Sequence, residues 1–248
     1  HNNTGAFNQT FNSKVNLTSE PTKNEIYMSY ITPKLKPKNR QKIENISIEL
    51  SFISGHTCRI CGKELPKGMG KICGSCLKTP PYFHKSISVL KYNKTSKTLI
   101  LAYKHADKLD LAPLFVKWLN LKGSEIIKEN DLLMPVPLHA FRLLKRKYNQ
   151  SAILAQKLAK MYQKEYTPLV LKRIKNTASQ GHLNRHKRKD NIKGAFKVTN
   201  KKLIKSKKIL LIDDVYTTGA TLNECAKVLI KSGAKQVACL TLCRAGNK

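Results

Sequence analysis

Acidic residues are scarce in this chain: 15 Asp and Glu stand against 47 Lys and Arg among 248 residues, a formal net charge of +32. Aromatic residues make up 7%, with a single Trp. No apolar run approaches the ~18 residues that a membrane-spanning helix needs. The first ~20 residues hold no apolar signal core, so secretion is not expected and a cytoplasmic location is. The acid shortage is concentrated: residues 58–248 carry 40 Lys/Arg against 11 Asp/Glu. So large a surplus exceeds what solubility requires and points to a polyanionic partner, most simply nucleic acid. The compositional alternative is that Lys and Asn are abundant throughout, as in proteins from AT-rich genomes.

Apolar residues make up 41% of the chain, enough for a substantial core in one or two domains. Residues 1–55, rich in Asn, Thr, Ser, Lys and Pro, are expected to be a disordered extension. Residues 56–80 form a cysteine module and residues 81–248 the main domain.

Four of the seven cysteines are arranged as Cys58-x2-Cys61 and Cys73-x2-Cys76. Each Cys-x-x-Cys turn can set two sulfurs on one side of a tetrahedron, so the spacing reads as a structural Zn2+ site. Two disulfides are the competing reading, and nothing in the sequence indicates an oxidising compartment. A closed four-thiolate site leaves no position for catalysis; its work is to fold a small module or present a surface. Cys225, Cys239 and Cys243 fall within strand and helix patterns and read as buried small apolar residues.

Beyond the module, apolar periodicity alternates between strand and helix. Val89 to Tyr92 and Thr98 to Tyr103 are short structured elements, and Leu109 to Leu121 is an amphipathic helix. Asp131 to Met134 is a strand leaving through a Pro-stiffened loop, and Tyr148 to Met161 is a helix. Leu169–Leu171, Lys207–Ile212 and Gln236–Leu242 are further strands. The alternation predicts an α/β fold, a parallel sheet with helices on both faces, in which ligands meet the carboxyl ends of strands. Both the Pro137 loop and Asp213-Asp214 fall there.

The stretch from Leu210 to Thr221 is the densest in chemistry. An apolar strand ends in Asp213-Asp214, and Thr217-Thr218-Gly219-Ala220-Thr221 opens a helix. A helix N-terminus offers free N–H groups and a positive dipole end to a phosphate. Two carboxylates beside such a cradle suit a ligand with sugar hydroxyls on one side and a phosphate on the other. The bland alternative is an Asp-rich turn and a capped helix.

This stretch resembles the phosphoribosyl-pyrophosphate (PRPP) signature of type I phosphoribosyltransferases. The resemblance implies that Asp213 and Asp214 contact the ribose hydroxyls and serve as the catalytic carboxylates. Thr217, Thr218, Gly219, Ala220 and Thr221 would then wrap the 5′-phosphate. Zinc knuckles, Pro135-Val136-Pro137-Leu138-His139, Lys147-Tyr148-Asn149-Gln150 and the PRPP motif, in this order, resemble the ComF family of competence-associated proteins over residues 58–245. Arg173, Gln180, Leu183, Arg188, Asn191 and Gly194-Ala195-Phe196 also fit that family's pattern. Lys147 departs from it, standing where Gly is expected.

That resemblance implies a pyrophosphate loop at Val136, Pro137, Leu138 and His139, and Mg2+ arriving with PRPP. Arg173 joins the PRPP contacts, and residues 172–193 form a mobile basic flap. As a flap, this segment would exclude water and bring positive charge to the pyrophosphate; as a charge run, it would merely be solvated. Arg142, Lys145, Arg146, Lys147, Arg185, Lys187, Arg188 and Lys189 are the expected nucleic-acid contacts. Phe141 and Tyr148 stand nearby as stacking or packing aromatics. The expected role is PRPP and single-stranded DNA binding in competence, alongside DNA-processing proteins. The alternative is a salvage phosphoribosyltransferase acting on a free base.

Overall fold

The computed structural model describes residues 50–105, 109–176 and 190–246. Five strands form a parallel sheet: β1 (Lys85–Lys91), β2 (Leu132–Pro135), β3 (Glu165–Tyr166), β6 (Lys208–Tyr216) and β7 (Gln236–Arg244). Their spatial order is β1-β7-β6-β2-β3. A separate antiparallel ribbon pairs β4 (Leu171–Arg173) with β5 (Phe196–Val198).

The central strands are apolar on both faces because both faces are covered. Along β6, Leu210 and Ile212 enter one core with Trp118, Phe115 and Leu119. Ile209 and Leu211 enter the other with Leu222, Cys225 and Phe196. Helix α2 (Lys94–His105), helix α3 (Ala112–Lys128) and helix α5 (Gln150–Tyr162) contribute to the first core. Helix α6 (Ala220–Lys231) covers the opposite face together with the cysteine module, which contains the short helix α1 (Gly74–Lys78). Cys225, Cys239 and Cys243 are fully buried, as their sequence context implies.

Helix boundaries follow local chemistry. Asn149 caps α5 by accepting from the Ser151 N–H at 3.0 Å. Asn93 and Ser96 cap α2 reciprocally, each side-chain oxygen accepting from the other's backbone N–H at 2.8 Å. The cap begins α2 well ahead of Thr98, where apolar content alone placed an element. Leu109–Leu111 is a 3-10 turn, and α3 begins after it with Pro113 in its first turn.

Residues 50–53, grouped by composition with the extension, lie in the core: Leu50, Phe52 and Ile53 are buried. The Phe52 ring meets Trp118 edge-on at 5.7 Å. Phe52 also bridges Leu90 in antiparallel fashion, and the Ile53 N–H donates to the Val89 carbonyl at 2.8 Å. Alternation of buried residues over only four positions is too short a signal to stand out beside the polar tract before it. The segment covers the β1 edge, which would otherwise present unpaired backbone groups.

Parallel pairing sets the functional edge. Pro135 of β2 is in register with Ile212 of β6, so Val136 leaves β2 beside Asp213, which is still within β6 and paired with Thr241 of β7. Tyr216 is in register with Arg244 of β7, which pairs in turn with Lys91 of β1. No helix among the described residues is long and apolar enough to cross a membrane.

Candidate functional site

The four cysteines converge. Their sulfurs all lie within 4.8 Å of one another, and all four residues are buried. Cys61 and Cys73 Sγ are 3.7 Å apart, far beyond a disulfide bond. The spacing fits the roughly 3.8 Å expected between sulfurs that share a tetrahedral zinc at ~2.3 Å. The Cys73 N–H donates to Cys58 Sγ at 3.3 Å, orienting a ligand sulfur as outer-shell donors do. Burial alone would raise the Cys58 thiol, yet backbone donors at Cys61, Cys73 and Ile60 bring it down to about 7. The donor set suits zinc, and Cys58, Cys61, Cys73 and Cys76 would hold it. His56 stays outside the cluster, its Nε2 2.9 Å from the Met69 carbonyl.

The module is fastened to the sheet. The Ser86 N–H donates to the Ile60 carbonyl at 2.7 Å. Gly62, at φ +69°, lies so close that a Cβ there would come within 2.6 Å of the Ser86 carbonyl oxygen. Only glycine satisfies both the turn and the approach.

At the carboxyl end of β6, the two acids have different surroundings. Asp213 Oδ1 accepts from Ser151 Oγ at 3.0 Å and from the Asp214 N–H at 2.9 Å. Burial and the neighbouring Asp214 charge push its carboxyl up to about 7, against the pull of those donors and Lys104. Asp214 Oδ2 instead pairs with Lys104 Nζ at 2.7 Å, with side chains 13% and 19% exposed. Lys104, near the end of α2, and Ser151, in the first turn of α5, escaped sequence reasoning. Ser151 directly follows the Tyr148-Asn149-Gln150 motif, which was its only local signal.

The loop after β6 is built for a close approach. Gly219 caps α6 at φ +79°, and the first turn of that helix holds no acid. Thr217, Thr218, Ala220 and Thr221 are half-buried around it. A Cβ on Gly219 would come within 2.3 Å of the Tyr216 hydroxyl.

Beside it runs the loop from Val136 to His139. The Val136 N–H donates to the Ile212 carbonyl at 2.9 Å, and Pro137 has no N–H. The loop's donors therefore reduce to Leu138 and His139. Asn149 Nδ2 holds the Val136 carbonyl at 3.1 Å. His139 caps helix α4 (Ala140–Arg146), accepting from the Phe141 N–H.

Arg173 ends β4, its guanidinium 5.7 Å from the Phe196 ring at the base of the basic segment. Arg185, Lys187, Arg188 and Lys189 lie outside the described residues, as do the side chains of Arg142, Lys145 and Arg146 on α4. Lys147 ends α4 at φ +61°, a left-handed conformation. This is the physical reason a Gly suits that position. Tyr148 is a packing residue whose hydroxyl donates to the Tyr103 carbonyl at 2.9 Å. Phe141 is 67% exposed and stacks on His139.

A parallel sheet with paired acids and a glycine-capped helix start on one edge defines a phosphoribosyltransferase-type fold, here carrying a four-Cys module. The family model described as "Phosphoribosyl transferase domain" matches residues 140–248. Competence protein F of Haemophilus influenzae is 32% identical over 194 residues, covering 76% of this chain and 84% of that protein. "DNA utilization protein YhgH" of Salmonella typhi is 32% identical over 193 residues, covering 75% and 83%. Competence protein ComFC of Bacillus subtilis is 27% identical over 204 residues, covering 79% and 81%. The chain belongs to the ComF family.

Proposed function

We propose that the protein binds PRPP, or a closely related ribose phosphate, at the carboxyl end of β6 and serves a ComF-like role in the use of incoming DNA. The observation that carries the reading is the continuity of Asp213-Asp214 with the Gly219-capped start of α6. Carboxylates for sugar hydroxyls and N–H donors for a phosphate stand only a few residues apart. Asp213 and Asp214 would accept from the ribose hydroxyls, and Thr217 to Thr221 would enclose the 5′-phosphate. Leu138 and His139 would donate to the pyrophosphate, and Arg173 would carry positive charge to it. Mg2+ would come with that ligand, for which PRPP itself supplies most oxygens. Asp213 and Asp214 are also the residues that would serve catalysis, by orienting the ribose.

The same protein binds single-stranded DNA in this reading. Support comes from the surplus of Lys and Arg over residues 58–248 and from exposed Phe141 on the helix that carries Arg142, Lys145 and Arg146. Lys147 follows that helix, and Arg185, Lys187, Arg188 and Lys189 would add further charges for the nucleic-acid backbone. Backbone charges give affinity and an exposed ring stacks on bases.

Calorimetric titration with Mg-PRPP tests the first part. Wild-type protein is expected to bind, and Asp213→Asn/Asp214→Asn to bind at least tenfold more weakly; equal affinity would remove the ribose role. Titration with labelled single-stranded DNA at several salt concentrations tests the second. Affinity should fall steeply with salt, and a flat response would sink the nucleic-acid reading. Metal analysis should return about one zinc per chain.

A further inference from the structure

Arg244, the last residue of β7, touches both halves of the protein. One guanidinium nitrogen donates to the Cys61 carbonyl at 2.6 Å and the other reaches Cys61 Sγ at 3.5 Å. Its Cζ lies 3.9 Å from the centre of the Tyr216 ring, which is itself buried at the end of β6. Phe83, in the segment leaving the module, meets the Tyr216 ring edge-on at 6.3 Å. The Tyr216 hydroxyl lies against Gly219, in the turn that opens the phosphate cradle. The Tyr82 N–H adds a parallel tie, donating to Asn223 Oδ1 in the first turn of α6 at 2.7 Å. A four-Cys ligand, an arginine, an aromatic ring and the cradle glycine thus form one contiguous packed series.

We propose that Arg244 is a positioning residue through which the four-Cys module sets the geometry of the phosphate cradle. Metal binding at the module and ribose-phosphate binding at the cradle are then energetically coupled. The proposal rests on the zinc reading of the module and the phosphate reading of Thr217 to Thr221. Its physical basis is the packed contact series from the Cys61 turn through Arg244 and Tyr216 to Gly219. A bound metal fixes the Cys61 turn, and with it the carbonyl and sulfur that face the two guanidinium nitrogens. Without the metal, the bonds that tie the two Cys-x-x-Cys turns to one centre are lost. Loss of the metal therefore loosens the Arg244 fork, uncovers one face of Tyr216 and removes the support beneath Gly219. Coupling of this kind is reciprocal, so the sugar-phosphate ligand must hold the metal more tightly in turn.

The test combines hydrogen exchange with metal release in full-length protein. Amide exchange over Thr217 to Thr221 is compared in zinc-loaded and zinc-stripped wild type and in zinc-loaded and zinc-stripped Arg244→Ala. Circular dichroism reports whether each sample is folded. Stripping and substitution should each speed loop exchange, on the order of tenfold, and together do little more than either alone. Additive effects, or unchanged loop exchange after stripping in folded protein, overturn the proposal. If stripping unfolds the chain, zinc-loaded Arg244→Ala and Arg244→Lys decide: loop exchange equal to wild type in both overturns it, and faster exchange supports it. Mg-PRPP should slow zinc release to a chelator in wild type and not in Arg244→Ala; equal slowing in both would also overturn it. Wild-type protein that does not bind Mg-PRPP would refute the ligand proposed above, while the exchange measurement would still decide the coupling.

Discussion

Asp213→Asn should separate the stability of this fold from its chemistry. The Asp213 carboxyl is raised from 3.8 to about 7, first by burial and then by the charge of Asp214. A carboxyl raised in the folded state holds its proton there while the unfolded chain has released it. Folding stability therefore falls as pH rises from about 4 to about 7, and the loss is complete above that window. At 1.36 kcal/mol per pH unit the gap amounts to about 4 kcal/mol. Partial solvation reduces what is realised to about 2–3 kcal/mol. An amide keeps an oxygen to accept from Ser151 Oγ and the Asp214 N–H and carries no charge to desolvate. Asp213→Asn should accordingly match wild type near pH 4 and exceed it by about 2–3 kcal/mol at pH 8. Urea denaturation followed by fluorescence of Trp118, the single and fully buried tryptophan, reads this directly. Titration of the cysteine module occurs in both proteins and cancels in the difference. A variant no more stable at pH 8 than wild type, or a gain independent of pH, would refute the reasoning.

Lys147→Gly relieves a left-handed residue at φ +61° and should stabilise by about 0.5–1 kcal/mol, raising the melting temperature by ~2–4 °C. Gly219→Ala drives a Cβ to 2.3 Å from the Tyr216 hydroxyl at φ +79°. It should weaken Mg-PRPP binding by roughly tenfold or more in calorimetry. Gly123→Ala places a Cβ 2.7 Å from Leu240 Cδ2. Overpacking should outweigh the ~1 kcal/mol gain in helix propensity and destabilise by about 1 kcal/mol in thermal melts.

Much of this protein was legible locally. Two Cys-x-x-Cys pairs and a glycine opening a helix are patterns that short-range geometry dictates; the strand expected to end in Asp213-Asp214 instead runs on to Tyr216, because β7 continues to pair with it. Strand–helix alternation dictated a parallel sheet, because parallel strands need crossovers. The Gly that the family resemblance leads one to expect at Lys147 has its cause in φ +61° there. Other features have no local signature. Lys104 reaches Asp214, and Ser151 reaches Asp213, only because α2 and α5 pack beside the end of β6. Asp213 and Asp214 are adjacent in sequence and alike in chemistry. Both are half-buried, but one accepts from a hydroxyl and the other pairs with a lysine, a distinction that packing makes and sequence does not encode. Arg244 reads in sequence as an ordinary charge after an apolar strand, yet it reaches Cys61, 183 positions earlier in the chain, and packs on Tyr216. Residue types and their spacing therefore determined which groups exist and which local turns hold them. Tertiary packing decided their partners, charge states and connections, because those depend on burial and through-space distance.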